Sequence, residues 1–491
     1  MGGNISQTSF TEQDNQAFSQ RLSSQLAQLK HIIRQPTFGQ MALCMGAELE
    51  MYLINDQAQC QMNNQSILSA LDDPQFQPEL NRYNLELNLS TQPLAGQPFL
   101  ALQKELQDKL AFLQTVCAAQ QTRAIPIGIL PTLCVEQLGV ANMTPLMRYQ
   151  ALVDQLSRRR GEPFNLRING VESLNMQIDD VTAEGANTSF QVHMMVPHQQ
   201  FANVFNAALL TLPLVIAISA NSPALMGKLL WDETRVALFK QSLDVRKDAE
   251  FEWQQPARVS FGQGWVRRDA WELYAEVVSL FPPLLPVCCD ESASDLPRLT
   301  ELNLHMGTTW PWLRPVYSHT GNGHVRIEFR ALPAGPSILD MVANAALSIG
   351  LAMGLASQIE DFTARLPFKL AEYNFYRAAQ QGLDAKLLWP NGVTGVLEEL
   401  PISDILQYVL PRAYQGLTML GVDQLEQKRF LSIIEKRLQV GQTGARWQRQ
   451  QLEVLRQQYP QQQALAQLVE QYAQWVQSGL PVSEWSIRHA G

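Results

Sequence analysis

The chain carries little charge for its size. Asp, Glu, Lys and Arg make up 17% of its 491 residues, against roughly 25% in an ordinary soluble domain. Bases are scarcer than acids, 37 against 46, so the formal net charge is −9. The only basic run is Arg158-Arg159-Arg160. This balance excludes a general nucleic-acid binder and a protein drawn to anionic membranes. Cysteine is sparse too: Cys44, Cys60, Cys117, Cys134, Cys288 and Cys289 are scattered, with no C-x-x-C pair. A zinc framework and a disulfide scaffold are thereby disfavoured, and reduced thiols in a cytoplasmic protein are expected. No G-x-x-x-x-G-K-[ST] or G-x-G-x-x-G stretch is present. Any phosphate must then be held by metals and side chains rather than by a glycine loop. There is no H-E-x-x-H pair, which makes a metal hydrolase the weakest of the enzyme readings.

Long apolar runs are few. Phe201 to Met226 is interrupted by Asn203, Asn206, Pro213, Asn221 and Pro223, and Met341 to Ser357 is shorter. A membrane span needs about 20 consecutive apolar residues, so both are expected as buried helices. No basic-then-apolar signal segment opens the chain. Gly2 and Ser6 fit the loose myristoylation pattern, a short match that chance supplies easily.

What is there is a mixture of two periodicities. Phe18, Leu22, Leu26, Leu29 and Ile33 mark a helix over 12–34 that stops before Pro36. Residues 81–91 alternate Tyr83, Leu85, Leu87 and Leu89 with Asn84, Glu86, Asn88 and Ser90, the mark of a strand with one polar face. The same reading predicts strands at 41–54, 124–130, 164–170, 188–197, 302–306 and 324–332. It predicts helices at 99–119, 145–160, 199–219, 232–243, 267–280 and 337–366. Gln-rich helical segments follow at 404–418, 423–440 and 445–478. The expected organisation is a flexible leader over 1–11, a mixed core over 12–366 and a helical C-terminal region over 367–491. Irregular interleaving and one-sided strands predict an α+β fold on an antiparallel sheet. Gly262 and Gly264 suggest that the 244–264 loop serves as a lid.

Four polar strand faces demand a reason. Glu48 and Glu50 share a face inside an apolar run, roughly 7 Å apart, where they repel unless a cation lies between them. Glu86 lies on the polar face of its strand, with Glu79 just upstream. Gln191 and His193 face away from Phe190, Val192 and Met194. Arg326, Glu328 and Arg330 oppose Val325, Ile327 and Phe329. Each has a plain alternative: an exposed strand, a solvated acid, a structural histidine, an ion-pair ladder. Taken together they describe hard oxygen ligands suited to magnesium or manganese, with arginines suited to phosphate or carboxylate. That combination is the equipment of nucleotide phosphoryl transfer.

The residues that carry this pattern also carry a resemblance. Gly46-Ala47-Glu48-Leu49-Glu50, Glu79 through Glu86 to Pro93, Phe190-Gln191-Val192-His193, Ala220-Asn221-Ser222-Pro223 through Arg235, and His324-Val325-Arg326-Ile327-Glu328-Phe329-Arg330 occur in that order between residues 40 and 350. The chain resembles the glutamate–cysteine ligase-like carboxylate–amine ligases, relatives of glutamine synthetase. Gly307 to Pro315 and Leu332 to Asp340 resemble a subgroup of them. The resemblance implies a curved antiparallel sheet, surrounded by helices, with the site on its concave face. It implies ATP and magnesium, manganese being an alternative ion. Glu48, Glu50, Glu86, His193 and Glu328 match the family's metal positions, and Glu79 falls where a further acidic ligand is expected. Arg235 and Arg330 match positions that contact the substrate carboxylate or the transferred phosphate. Arg326 shares their face without an assigned role. The implied reaction joins a small carboxylate, glutamate by resemblance, to an amine through an acyl phosphate, with Glu328 and Arg330 as catalytic residues. The rivals are a guanidino-kinase-like phosphotransferase and a catalytically silent nucleotide-binding protein. An oligomer is compatible with all three.

Overall fold

The computed structural model describes residues 7–247, 254–290, 294, 296–392 and 394–487. The Gly2/Ser6 pattern and residues 248–253 of the expected lid lie outside them. The described end of the leader closes on Thr11, whose side chain accepts from the Asp14 amide at 3.2 Å while the Asp14 carboxylate accepts from the Thr11 amide at 2.7 Å. This capping box starts the helix Glu12–Ile32.

One antiparallel sheet positions the site. Its principal strands are β1 (Cys44–Ile54), β2 (Phe76–Pro78), β3 (Asn84–Asn88), β4 (Phe190–Met195), β5 (Leu313–Ser318) and β6 (His324–Phe329). They lie in the order β5-β6-β4-β1-β3-β2, and two short strands, Gln92–Pro93 and Arg123–Ile125, also pair with β1. On β1 the alternation sends Leu49 and Met51 to the core, where both are fully buried. The opposite face presents Glu48 and Glu50.

Behind the sheet lie two helices that are apolar all round, α1 (Phe201–Ser219) and α2 (Ile338–Leu355). With their flanking turns both are long and apolar enough to cross a membrane, yet their apolar windows are 94% and 89% buried inside the fold. A helix with no polar stripe is stable where it is covered on every side, and here protein supplies the cover. The helix Ile402–Met419 packs hard against α2. A Cβ at Gly354 would lie 1.9 Å from the Arg412 carbonyl oxygen, so only glycine permits that approach. Arg437, 1% exposed, donates to Asp340 at 2.7 Å and to Asn344 and the Ile218 carbonyl at 2.8 Å each. A C-terminal helix is thereby tied to both core helices, and the Gln-rich region shares their hydrophobic core.

Several expectations need correction. Residues 302–306 belong to a helix, Thr300–Met306, not a strand. Leu302, Leu304 and Met306 imitate alternation, but Glu301, Leu302, His305 and Met306 are the buried positions, spaced as on a helix. The run 445–478 is two helices, Gly444–Arg456 and Gln461–Ser478, because Pro460 cannot continue the first. β5 and the partner strand Ser173–Ile178 of Phe164–Asn169 carried too weak an alternation to be predicted.

Candidate active site

Pairing register brings the polar faces together. Glu50 on β1 stands opposite Glu86 on β3. Gly46 stands opposite His193, and His193 opposite Glu328 across β4 and β6. Glu48, one pleat along from Gly46, therefore projects beside His193. The result is two groups of three, each with ligand atoms within 4.8 Å of one another: Glu48, His193 and Glu328, then Glu50, Glu79 and Glu86. Sequence reasoning collected these six residues as one set, and the sheet divides them.

The groups differ in what balances their charge. Glu328, 1% exposed, accepts from Arg314 through Nε at 2.5 Å and Nη2 at 3.0 Å, and from Arg330 Nη1 at 3.0 Å. Burial opposes its charge, but Arg314, Arg330 and His193 hold its carboxyl well below the usual range. Glu48 is half-buried; desolvation opposes its charge, but His193 and Arg330 keep its carboxyl lowered. His193 Nε2 lies 3.1 Å from Glu48 and 4.0 Å from Glu328, off the line of a good hydrogen bond, and has no hydrogen-bond partner among the described residues.

The other group is in deficit. Burial, then Glu86 and Glu50, push the Glu79 carboxyl well up. Burial, then Glu48 and Glu50, push Glu86 up to about 7, with Glu79 and Asn88 opposing by hydrogen bonds. Burial also raises Glu50, opposed by Arg235 and Arg330. Glu50 accepts from the Ser189 amide at 2.7 Å and from Gln191 Nε2 at 2.8 Å. Gln191 in turn accepts from Arg330 Nη1 at 2.6 Å, which links the two groups through one amide.

The residues present fit divalent cations. Three carboxylates crowded at one point resist ionising together unless positive charge enters, and the donors are oxygens with one imidazole. Glu48, His193 and Glu328 would hold one ion, and Glu50, Glu79 and Glu86 another.

The two arginines singled out in the sequence separate. Arg330 reaches into the site. Arg235, 3% exposed, opens the helix Arg235–Ser242 behind it. Its Nη1 donates to Glu233 at 3.2 Å and to the Ala331 carbonyl at 3.0 Å. Two residues escaped sequence reasoning, and a third was placed on the right face without a role. Arg314 is one, and its only signal was to stand between Leu313 and Pro315 on a short Trp- and Pro-bounded strand. Gln191 is the one seen on the polar face with His193 but given no role; it bridges Glu50 and Arg330. Glu184 is the other missed residue; burial and Glu50 push its carboxyl up to about 8, with Arg330 opposing.

Arg314 yields a direct expectation. Arg314→Lys keeps the charge and loses the two-pronged grip on Glu328. Manganese affinity at the site should fall by about 10-fold, the low end for residues that orient a metal ligand. Equilibrium dialysis measures it, and unchanged affinity would show that the fork does not set Glu328's orientation.

The comparisons with known proteins agree with this architecture. The profile of Glutamate-cysteine ligase family 2 (GCS2) matches residues 44–471. No curated protein sequence matches the chain. Among solved structures, the glutamate–cysteine ligase of Francisella tularensis, in complex with AMP, superposes with a TM-score of 0.51 at 11% identity, over 92% of this chain and 91% of that one. A bifunctional glutathione synthetase from Pasteurella multocida gives 0.50 at 12% identity, over 93% of this chain and 55% of that one. At such identities the likeness is one of fold: helices about an antiparallel sheet, with a helical C-terminal region.

Proposed function

Because the chain belongs to Glutamate-cysteine ligase family 2, we propose that it is an ATP-dependent carboxylate–amine ligase, acting on the γ-carboxylate of glutamate through an acyl phosphate. The observation that carries this is the convergence of two acid groups and Arg330 on one sheet face. The AMP in the Francisella tularensis enzyme supports a nucleotide as co-substrate.

A carboxylate is a poor acyl donor because oxide would have to leave. Transfer of the ATP γ-phosphoryl group turns that oxygen into part of a phosphate leaving group. Glu48, His193 and Glu328, and Glu50, Glu79 and Glu86, would hold magnesium or manganese, which when bound would supply positive charge against the charge that develops on transfer. Arg330, fixed by Glu328 and Gln191, donates toward the moving phosphoryl group from a buried position where its charge is weakly screened. Arg314 holds Glu328 so that its carboxylate keeps one orientation. Arg235 acts at longer range, its positive charge favouring ionised Glu50. The amine then attacks the acyl carbon, and phosphate leaves with the C–O bond electrons. No disulfide joins any of the six cysteines among the described residues, which supports a cytoplasmic setting.

The test is a phosphate-release assay on the purified chain with ATP, magnesium, glutamate and a panel of amines. Release should require both glutamate and an amine, and the product mass should correspond to loss of water between them. A stable phosphorylated product would replace this reading with a phosphotransferase. Nucleotide binding without release under every pairing would replace it with a silent binding protein.

A further inference from the structure

One acid at the site belongs to neither ligand group. Glu184 lies on the short turn Thr182–Ala186 that precedes β4, and it is not among the residues that either group brings together. The charges that act on it are Glu50 and Arg330. Both are site residues, so its carboxyl faces the site. Among the described residues its side chain makes no hydrogen bond and no ion pair. It is not sealed in protein either, because the residue is half-buried and its oxygens are not among the enclosed ones.

The turn that carries Glu184 is fastened on several sides. Tyr52, which follows Glu50 on β1, donates through its hydroxyl to the Ala186 carbonyl at 2.6 Å. Asn81, which follows Glu79, donates through Nδ2 to the Thr182 carbonyl at 2.9 Å. Asn187 Nδ2 donates to the Glu184 carbonyl at 2.9 Å. A Cβ at Gly185 would stand 2.4 Å from Asn81 Nδ2, so glycine is what lets the turn sit this close. The segments that carry Glu50 and Glu79 thus also fix the turn, and Glu184 is preorganised for a ligand.

A desolvated acid without a partner costs stability until something pairs with it. A hydroxyl or an amide of a ligand would add a hydrogen bond and leave the surplus negative charge of this end of the site untouched. An ammonium adds three donors and the missing positive charge. A carboxylate–amine ligase must admit such a group: one substrate is an amine, and glutamate carries another on its α-carbon. We infer that Glu184 is a specificity-determining residue that receives the ammonium group of a substrate beside Glu50 and Arg330. The inference rests on the ligase reading. No bond forms or breaks in this contact, which selects and orients the substrate.

The experiment is calorimetry on the full-length protein with magnesium and the non-hydrolysable ATP analogue AMP-PNP. The probes are glutamate, glutarate, which lacks the ammonium, and propylamine. Glu184→Gln keeps the size and removes the charge. It should weaken glutamate or propylamine by about 10- to 100-fold, the scale of a hydrogen bond between charged groups, and leave glutarate unchanged. Loss confined to glutamate assigns the α-ammonium of the carboxylate substrate, and loss confined to propylamine assigns the acceptor. Glu184→Asp keeps the charge on a shorter stem and should fall between wild type and Glu184→Gln, so it carries the test if the glutamine variant does not fold. Unchanged affinity for both nitrogen probes overturns the inference. So does an equal loss for glutarate, or a loss of manganese affinity in place of ammonium affinity. A wild type that binds neither glutamate nor propylamine removes the ligase reading, and this inference with it.

Discussion

Glu328→Gln is expected to lower the rate of amine-dependent phosphate release by about 10²- to 10³-fold, the scale for removing one preorganised electrostatic contact from a reacting centre. The substitution keeps the volume and deletes one negative charge. It also turns an NH2 group toward Arg314 or Arg330, each of which now donates to a carboxylate oxygen. Those guanidiniums are buried, so the variant should also unfold more easily, by about 3 kcal/mol if breaking the pair behaves as other buried ion pairs do. Activity loss through unfolding must then be separated from loss of chemistry. Glu48→Gln makes the separation. Glu48 belongs to the same group but its side chain is 20% exposed and bears no arginine fork. It should lose turnover on a similar scale while its urea midpoint stays near wild type. Wild-type turnover in both variants would remove the Glu48, His193 and Glu328 group from the mechanism.

The second large effect belongs to Glu50, Glu79 and Glu86. In the absence of divalent ions the protein should lose stability as pH rises from about 4.5 toward 7. The sign follows from Glu86, whose carboxyl is pushed up to about 7 in the fold against 4.5 ordinarily. Below 4.5 both folded and unfolded chains hold the proton. Between the two values the folded chain keeps a proton that the unfolded chain has lost. Each rising pH unit then favours unfolding by about 1.4 kcal/mol, a few kcal/mol across the window. Glu184, pushed up to about 8, extends the decline. Glu328 and Glu48 are shifted the other way. Their contribution is present above the ordinary carboxylate value and is lost only in acid, outside this window. A cation among the three acids cancels the repulsion, so manganese should raise the unfolding midpoint much more at pH 8 than at pH 6. Thermal scans with EDTA or manganese at the two pH values measure this. An equal metal effect at both would show that the crowded acids are not where the ion binds.

Much of this was legible in the linear chain, and for a physical reason. The period of a strand is two, so Glu48 with Glu50, and Arg326 with Glu328 and Arg330, had to share faces in any sheet. Apolar residues on the opposite faces said which side was core. Runs such as 201–219 and 338–355, with hardly a polar residue, had to be covered by protein or by lipid, and their Asn and Pro interruptions favoured protein. Residues 302–306 misled because three alternating apolar positions satisfy a short strand and one turn of helix equally well.

Local pattern could not say how the faces meet. Register is set between strands remote in sequence, and it alone divides six ligands into an arginine-balanced group and an acid-rich one. It alone sets Arg314 opposite Glu328 and turns Arg235 to Glu233 and a backbone carbonyl. The residue types and their spacing determined that oxygen ligands and arginines would share a sheet face. Which charge stands beside which was decided by tertiary pairing, because electrostatic energy depends on distances that the order of residues does not contain.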